Sequence, residues 1–195
     1  MTDYQSLVQL LAQKSVRQGR FTLSSGKISD TYIDVRMTSM SPEGLSRIGP
    51  LALQAIRFTG WSVDSIGGMT LGADPIAYAI SYASSLSTPS LRAFTVRKDT
   101  KLHGTGKLIE GPFSPGDRVV IIEDVITTGA SALQAIETVT SAGGYIQGVL
   151  TLVDRKEGGR EMIERKGHAV ISLIPIEEII AASIDVTATR ASAAE

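Results

Sequence analysis

Two adjacent carboxylates, Glu123 and Asp124, follow an apolar run from Val119 to Ile122, and a short loop rich in hydroxyl groups comes after them. Backbone N–H groups at the start of a helix favour a phosphate, and the Thr and Ser hydroxyls of this loop add further donors. The carboxylates would repel that phosphate, so they suit hydroxyl groups or a metal ion nearby. A sugar phosphate with a free vicinal diol satisfies both features. The same pattern also arises where Asp124 merely caps a helix, and the loop alone does not separate the two interpretations.

A cationic cluster lies just past another apolar run and comprises Arg97, Lys98, Lys101 and His103 within seven positions. Lys and Arg are the residues that neutralise the several charges of a diphosphate group. The glycine-containing stretch Lys101–Lys107 is typical of a mobile lid over an active site. The alternative is an ordinary solvated basic loop.

The run from Gly67 to Gly72 has the glycine spacing of a nucleotide-binding P-loop, but Ala73-Asp74 stands where that motif requires Lys followed by Ser or Thr. Gly67 and Gly68 have no Cβ atom, so backbone amides there can approach an anion closely. A tight turn from a strand to a helix explains the same glycines almost as well. The sequence therefore excludes a P-loop and leaves an anion-binding turn as the functional interpretation.

Asp154 and Arg155 end a further apolar run. A planar guanidinium can hold a carboxylate through two parallel hydrogen bonds, which an ammonium group cannot do. Arg155 is therefore a candidate for binding a carboxylate on a substrate. It could instead pair with Asp154 or Glu157 in the chain itself.

The elements that would position these groups alternate along the chain from Val63 onward. Helical patterns such as Asp74–Ser85 and Ser131–Ala142 separate apolar runs typical of strands. The strand candidates are Ser65–Gly67, Leu91–Val96, Val119–Ile122, Ile146–Val153 and Ala169–Leu173. Runs this continuous predict a parallel sheet with helices on both faces. The carboxyl ends of such strands meet at one edge, where ligands bind, so we expect the candidate groups to gather there.

The N-terminal part has a different pattern. Apolar residues at helical spacing predict an amphipathic helix that ends at Gly19. Short extended segments follow at Phe21–Leu23 and Tyr32–Val35, separated by a turn-prone stretch. We therefore expect a small unit apart from the main sheet.

The composition is that of a globular protein. The 195 residues, 43% of them hydrophobic, suit one domain, which we expect over residues 1–185 with 186–195 as a disordered tail. A net charge of −1 argues against nucleic-acid or membrane-surface partners. Cysteine is absent and histidine occurs twice, which argues against a disulfide framework and a zinc site. No run approaches the ~20 apolar residues of a membrane span, so we expect a cytoplasmic protein.

Taken together, these motifs resemble those of the type I phosphoribosyltransferases, and among them the orotate phosphoribosyltransferases in particular. The acidic segment is similar to the motif that binds 5-phosphoribosyl 1-diphosphate (PRPP) in that family. One such motif is moderately specific, whereas five in family order are strongly so. The similarity spans about residues 20–160 and is carried by Phe21–Ser29 with Tyr32 and Asp34, Gly67–Ala77, Arg97–Gly104, Glu110-Gly111, Glu123–Ser131 and Asp154-Arg155.

The resemblance implies an α/β fold of the type I phosphoribosyltransferase kind, with a mostly parallel central sheet, helices on both faces and a small hood formed mainly by residues 1–40. It implies transfer of the ribose 5-phosphate group of PRPP to N1 of orotate, giving orotidine 5′-monophosphate and diphosphate in UMP biosynthesis. Mg²⁺ would be held mainly by PRPP, with no direct side-chain ligand. The catalytic residues implied are Lys101, His103, Glu123 and Asp124.

Binding residues are implied in the same way. Orotate would contact Thr127 and Arg155. PRPP would contact Arg97, Lys98, Lys101, His103, Glu123, Asp124, Val125, Ile126, Thr127, Thr128, Gly129, Ala130 and Ser131. In this family the loop with Lys101 and His103 reaches the active site of the neighbouring subunit, so a homodimer is implied.

The chain departs from the family pattern in two places. Many relatives carry a ligand-contacting Lys where this chain has Ser24, and whether Lys27 substitutes is left open. Some relatives also carry Lys within the segment that matches Met69–Gly72. Both departures concern the set of cations around the ligands rather than the reaction.

Two other functions are compatible with parts of the pattern. A purine phosphoribosyltransferase of the hypoxanthine–guanine type would carry Asp at the position of Thr127. A PRPP-sensing regulator without enzymatic activity would need a basic nucleic-acid-binding surface, which a net charge of −1 does not favour. The sequence therefore favours the orotate enzyme over both.

Overall fold

The computed structural model of the chain describes residues 2–22, 28–98 and 107–192. Its helices are α1 Asp3–Lys14, α2 Arg36–Ser39, α3 Pro42–Phe58, α4 Ala73–Ser85, α5 Ala130–Ser141, α6 Gly159–Arg165 and α7 Ile176–Ser192. Its strands are β1 Val16–Thr22, β2 Ile28–Ile33, β3 Ser65–Met69, β4 Arg92–Val96, β5 Ile109–Glu110, β6 Arg118–Ile126, β7 Tyr145–Asp154 and β8 Val170–Pro175. Within these residues no helix is both long and apolar enough to cross a membrane.

Six of the strands form one sheet in the order β5-β4-β3-β6-β7-β8. Neighbouring strands are parallel except at the edge, where β5 is antiparallel to β4. The chain moves outward from β3 to β4 and then returns to β6 on the other side of β3. This reversal opens a crevice beyond the carboxyl ends of β3 and β6, which is where open α/β sheets bind ligands.

Both faces of the sheet are covered, as the continuous apolar runs predicted. Along β6, Val120 and Ile122 belong to a core shared with α1, α3, α4 and α7. Val119 and Ile121 belong to a second core shared with α5 and α6. All four side chains are fully buried, because successive residues of a strand face opposite sides of the sheet. The predicted α/β architecture with a mostly parallel sheet is confirmed.

The N-terminal segment consists of α1 and a separate two-stranded antiparallel sheet, β1–β2. The predicted helix is present but ends at Lys14 rather than at Gly19. Gly19 instead lies in β1, with a φ of +149°, where the register with β2 shifts between Gln18 and Phe21. The glycine therefore marks a bulge in a strand and not the end of a helix.

The C-terminal segment differs from the sequence expectation. The backbone stays helical in α7 as far as Ser192, whereas we expected a disordered tail over residues 186–195. Lack of apolar periodicity was a misleading signal there, since Ala has the highest intrinsic helix propensity and favours a helix without an apolar face. A hydrogen bond of 3.0 Å from Tyr4 OH to Glu178 Oε1 joins the start of α7 to α1.

Candidate active site

A loop and the end of a strand meet at the crevice between β3 and β6. Residues Thr70–Gly72 lead from β3 into α4, and Asp124 lies near the end of β6. A Cβ atom built on Gly72 would come 2.5 Å from Cγ of Asp124, so a side chain at position 72 would displace that carboxylate. Glycine at position 72 therefore lets this loop close on the carboxylate.

Gly67 and Gly68 serve strand packing. Both lie inside β3 and are buried. A Cβ on Gly67 would come 2.3 Å from the carbonyl oxygen of Phe94, and one on Gly68 would come 1.9 Å from that of Ile122. The sequence offered an anion-binding turn or a tight turn from a strand to a helix, and neither describes this pair: both glycines lie inside a strand, where the neighbouring strands leave no room for a Cβ atom.

Glu123 and Asp124 form the acidic centre of the crevice. Glu123 is 9% exposed, and its Oε2 has no hydrogen-bond partner among the described residues. Burial, and then the neighbouring charge of Asp124, raise the pKa of Glu123 to about 8. Burial also raises the pKa of Asp124, against a 2.8 Å hydrogen bond from the N–H of Val125. The pair therefore retains a proton near neutral pH.

The raised pKa of Glu123 predicts that stability depends on pH. This carboxyl group ionises near pH 4.5 in the unfolded chain and near 8 in the fold, so the fold holds the extra proton between these values and loses stability as pH rises. From pH 6 to pH 9 the free energy of unfolding should fall by on the order of 2 kcal/mol more in the wild type than in Glu123→Gln. Denaturant unfolding at both pH values measures this difference. The same pH dependence in both proteins would contradict the account.

The hydroxyl-rich loop after β6 packs against the start of α6. A Cβ on Gly159 would lie 2.4 Å from the carbonyl oxygen of Thr127 and 2.6 Å from the nitrogen of Gly129. Gly129 has a φ of +81° at the N-terminus of α5, and no side chain caps this helix. The positive end of the helix dipole is therefore not occupied by a capping side chain of α5. Binding of an anion by Thr127–Ser131 stays a prediction.

Arg155 lies directly beside this loop. Its backbone N–H donates to the carbonyl of Ile126 at 3.0 Å, and its Nε lies 3.0 Å from Oε1 of Glu157. Of the two partners that the sequence offered within the chain, the guanidinium contacts Glu157, whereas Asp154 accepts from the N–H of Lys156. A substrate carboxylate bound by Arg155 would share this cation with Glu157.

The predicted cations Arg97 and Lys98 follow β4 at the same edge of the sheet. They line a cavity of about 500 Å³ whose other walls are Thr70, Asp74, Tyr78, Thr95 and Glu110. The structure thus places two cations beside the loop that closes on the acidic pair. Four further positions discussed above lie outside the described residues: Ser24, Lys27, Lys101 and His103.

Sequence reasoning missed Arg36, whose charge reaches the acidic pair. Its guanidinium forms hydrogen bonds of 2.8 and 3.0 Å with Asp34. The same charge opposes the effect of burial on the pKa of Asp124. In the sequence, Asp34 and Arg36 form an ordinary local pair with no link to Asp124. Only the fold brings the charge of Arg36 close enough to affect the pKa of Asp124.

Known proteins of one kind are similar to this chain over most of its length. An orotate phosphoribosyltransferase of Aquifex aeolicus is 40% identical over 183 residues, which cover 92% of this chain and 99% of that protein. The crystal structure of the Mycobacterium tuberculosis orotate phosphoribosyltransferase in complex with Fe(III) dicitrate has 40% identity and a TM-score of 0.80, and the match covers 91% of this chain and 99% of that one. A crystal structure of the same enzyme in complex with PRPP has 33% identity and a TM-score of 0.73, with 91% of each chain covered. No family model matches the chain.

Proposed function

The chain belongs to the orotate phosphoribosyltransferase family, and on that premise we propose which residues carry each part of its reaction. It transfers the 5-phosphoribosyl group of PRPP to N1 of orotate, giving orotidine 5′-monophosphate and diphosphate in pyrimidine biosynthesis. The bond from N1 to the anomeric carbon forms as the bond from that carbon to the diphosphate oxygen breaks. The observation that carries the assignment of roles is the acidic pair of buried Glu123 and half-buried Asp124, on which the Thr70–Gly72 loop closes.

The acidic pair holds the ribose. The pair keeps one proton near neutral pH, and the remaining carboxyl oxygens of Glu123 and Asp124 accept hydrogen bonds from the two vicinal hydroxyls. Oε2 of Glu123 has no partner among the described residues. Departure of the diphosphate leaves positive charge on the anomeric carbon, as in glycoside chemistry. The nearby Asp124 carboxylate stabilises that charge. The 5-phosphate binds to the amides and hydroxyls of Thr127–Ser131 at the start of α5.

The two remaining groups bind on opposite sides of β6. Arg97 and Lys98 follow β4, on the β3 side of β6, and face the diphosphate. Lys101 and His103 of this chain join them there, as the family resemblance implies. Cations fixed before the reaction stabilise the charge that develops on a leaving group. Arg155 follows β7, on the other side, and holds the carboxylate of orotate, with Thr127 against the ring. The anomeric carbon is thereby held between its leaving group and its nucleophile.

Mg²⁺ is the cofactor in this proposal. The described residues contain no group of three His, Asp or Glu side chains that could hold a metal ion. Mg²⁺ binds substrate phosphate oxygens and keeps several waters, so it does not require a cage of protein ligands. PRPP would hold the ion, with no direct side-chain ligand, and the Glu123–Asp124 pair, whose Oε2 of Glu123 is unpartnered among the described residues, would hold the ribose hydroxyls beside it. When bound, Mg²⁺ offsets the negative charge of the diphosphate.

A homodimer with a shared loop is supported by one exposed face of α4. Tyr78 and Tyr82 of this helix and Leu86, which directly follows it, recur every four residues and are 52%, 71% and 74% exposed. Phe58, 79% exposed at the end of α3, is a further apolar side chain open to solvent. Contiguous exposed apolar residues mark protein interfaces, and a second copy of the chain is the partner proposed here. Since Tyr78 also lines the cavity with Arg97, a partner on this face would bring its own loop close to the diphosphate.

We place the enzyme in the cytoplasm, with small molecules as its substrates. Both PRPP and orotate carry charges at neutral pH, and charged groups do not cross a hydrocarbon layer unaided. The enzyme must therefore work in the compartment where they are made. The net charge of −1 gives it no general attraction to nucleic acid or to anionic membranes.

The role of Asp124 is tested by Asp124→Asn, which keeps the shape of the side chain and removes its charge. We expect kcat to fall by about 10²-fold, the size of one preorganised electrostatic contact, and the KM for PRPP to change less. The measurement is steady-state kinetics with PRPP varied at saturating orotate. An unchanged kcat with a raised KM would mean that Asp124 only positions the ribose.

The matched control is Asp64→Asn, at the opposite end of β6. Asp64 is a carboxylate that bonds the Arg118 guanidinium at 2.7 and 2.8 Å. Its replacement removes a charge of the same kind from beside the first residue of β6, at the end of that strand away from the crevice. The kcat of Asp64→Asn should stay within about threefold of the wild-type value.

A further inference from the structure

A chain of four side chains joins the Thr70–Gly72 loop to β4. Thr70 Oγ1 donates to Asp74 Oδ2 at 2.7 Å, and Thr95 Oγ1 donates to Asp74 Oδ1 at 2.8 Å. The hydroxyls of Thr95 and Tyr78 lie 2.7 Å apart. Asp74 itself is buried in the first turn of α4.

The proton positions in this chain follow from the chemistry of its members. An ionised carboxylate only accepts, so both Thr hydroxyls direct their single proton to Asp74. Thr95 then has no proton left for Tyr78, and Tyr78 must be the donor between them. The backbone N–H of Thr70 is also committed, because it donates to the carbonyl of Val96 at 2.8 Å. Both donors of Thr70 therefore fix the loop to the scaffold.

We propose that Asp74 is a positioning residue, which holds the Thr70–Gly72 loop in the place where its backbone meets the diphosphate of PRPP. The inference rests on the proposed function, which places the diphosphate at Arg97 and Lys98, because Thr70 lines the same cavity as these two cations. Asp74 spans the two strands that flank the loop's entry, accepting from Thr70 after β3 and from Thr95 on β4. Because Gly72 lies against Asp124, a loop that moves also loses its contact with the acidic pair.

A second buried carboxylate bridges the same two strands at their opposite end and provides a matched control. Asp117 Oδ2 accepts from Ser65 Oγ at 3.0 Å, at the start of β3, and Asp117 Oδ1 accepts from Arg92 at 2.6 Å, at the start of β4. Its burial is similar to that of Asp74. Asp117 therefore has the same structural task without access to the crevice.

The experiment compares Asp74→Asn with Asp117→Asn, and Thr95→Val with Ser65→Ala. Each substitution leaves a buried hydroxyl or carboxylate oxygen without its partner, so all four should lower the melting temperature. Only Asp74→Asn and Thr95→Val should raise the KM for PRPP, by about tenfold, with the KM for orotate within about twofold of the wild type. Thr95→Ser, which keeps the hydroxyl, should restore the KM for PRPP.

Diphosphate and ribose 5-phosphate, the two halves of PRPP, serve as separate inhibitors. Their inhibition constants show which half of the substrate is bound more weakly in the variant. In Asp74→Asn the inhibition constant for diphosphate should rise by the same factor as the KM, and that for ribose 5-phosphate should not change. Equal kinetic effects of the Asp74 and Asp117 variants, or equal losses for both inhibitors, would overturn the positioning role. Failure of diphosphate to inhibit the wild type would instead count against the proposed diphosphate side of the site. The two failures are thus distinguishable.

Discussion

Replacing orotate by uracil should lower kcat/KM by roughly 10⁴-fold or more, because uracil lacks the carboxylate that Arg155 is proposed to hold. The Arg155 side chain is only 15% exposed, so a bound pyrimidine without a carboxylate would leave a desolvated cation with Glu157 as its remaining partner. Sites that bind a charged group in this way reject analogues without it far more strongly than apolar pockets do. Initial rates with each base at saturating PRPP give the ratio. A kcat/KM for uracil within about tenfold of that for orotate would contradict the assignment of Arg155 to the carboxylate of orotate.

Arg155→Lys is the matched variant for this prediction. It keeps the positive charge but loses the planar group that can donate two parallel hydrogen bonds to a carboxylate. The rate with orotate should fall and the rate with uracil should stay low, so the ratio between them shrinks. An undiminished ratio in Arg155→Lys would mean that charge alone selects the substrate.

Mixing two inactive variants should restore activity if the active site is shared between subunits. Lys101→Ala removes the cation proposed to act from the loop, and Asp124→Ala removes the acid proposed to face the ribose, so each homodimer should be nearly inactive. After subunit exchange about half of all dimers are heterodimers, in which one site has both defects and the other has neither. Activity should therefore return to roughly a quarter of the wild-type value.

The control for this experiment is a mixture of Lys101→Ala with His103→Ala. Both defects lie on the same loop, so each site of the heterodimer carries one of them and no site is intact. This mixture should stay inactive. Exchange is established separately by isolating mixed dimers that carry two different affinity tags. Mixed dimers of Lys101→Ala and Asp124→Ala that remain inactive would place Lys101 over its own subunit's site.

The strands, and the reactive side chains that come after each apolar run, could be predicted because both depend on local sequence signals. The run Val119–Ile122 is too continuous for a half-exposed strand, and the confirmed sheet buries it on both faces. The strand is longer than the run, however, and continues to Ile126. Glu123 pairs in register with Thr151 of β7, so the acidic residues lie inside a strand rather than after one. Polar residues within a strand give no apolar signal, and the sequence could not show where β6 ends.

Other parts of the site depend on contacts between distant segments. Arg36 affects Asp124 from 88 positions away in the chain, and Asp74 depends on Thr95 from 21 positions away. The proton on the acidic pair likewise depends on burial, which the sequence does not give at the level of one carboxyl group. Local pattern identified the chemical groups of the site, and tertiary structure determined which of them interact.

The most direct test of the central claim is the loss of orotate absorbance in the presence of PRPP and Mg²⁺, run beside hypoxanthine and adenine. The account predicts that orotate is consumed, that diphosphate appears in equal amount, and that neither purine is converted. Conversion of a purine at a rate comparable to that of orotate, or no loss of orotate under these conditions, would contradict it.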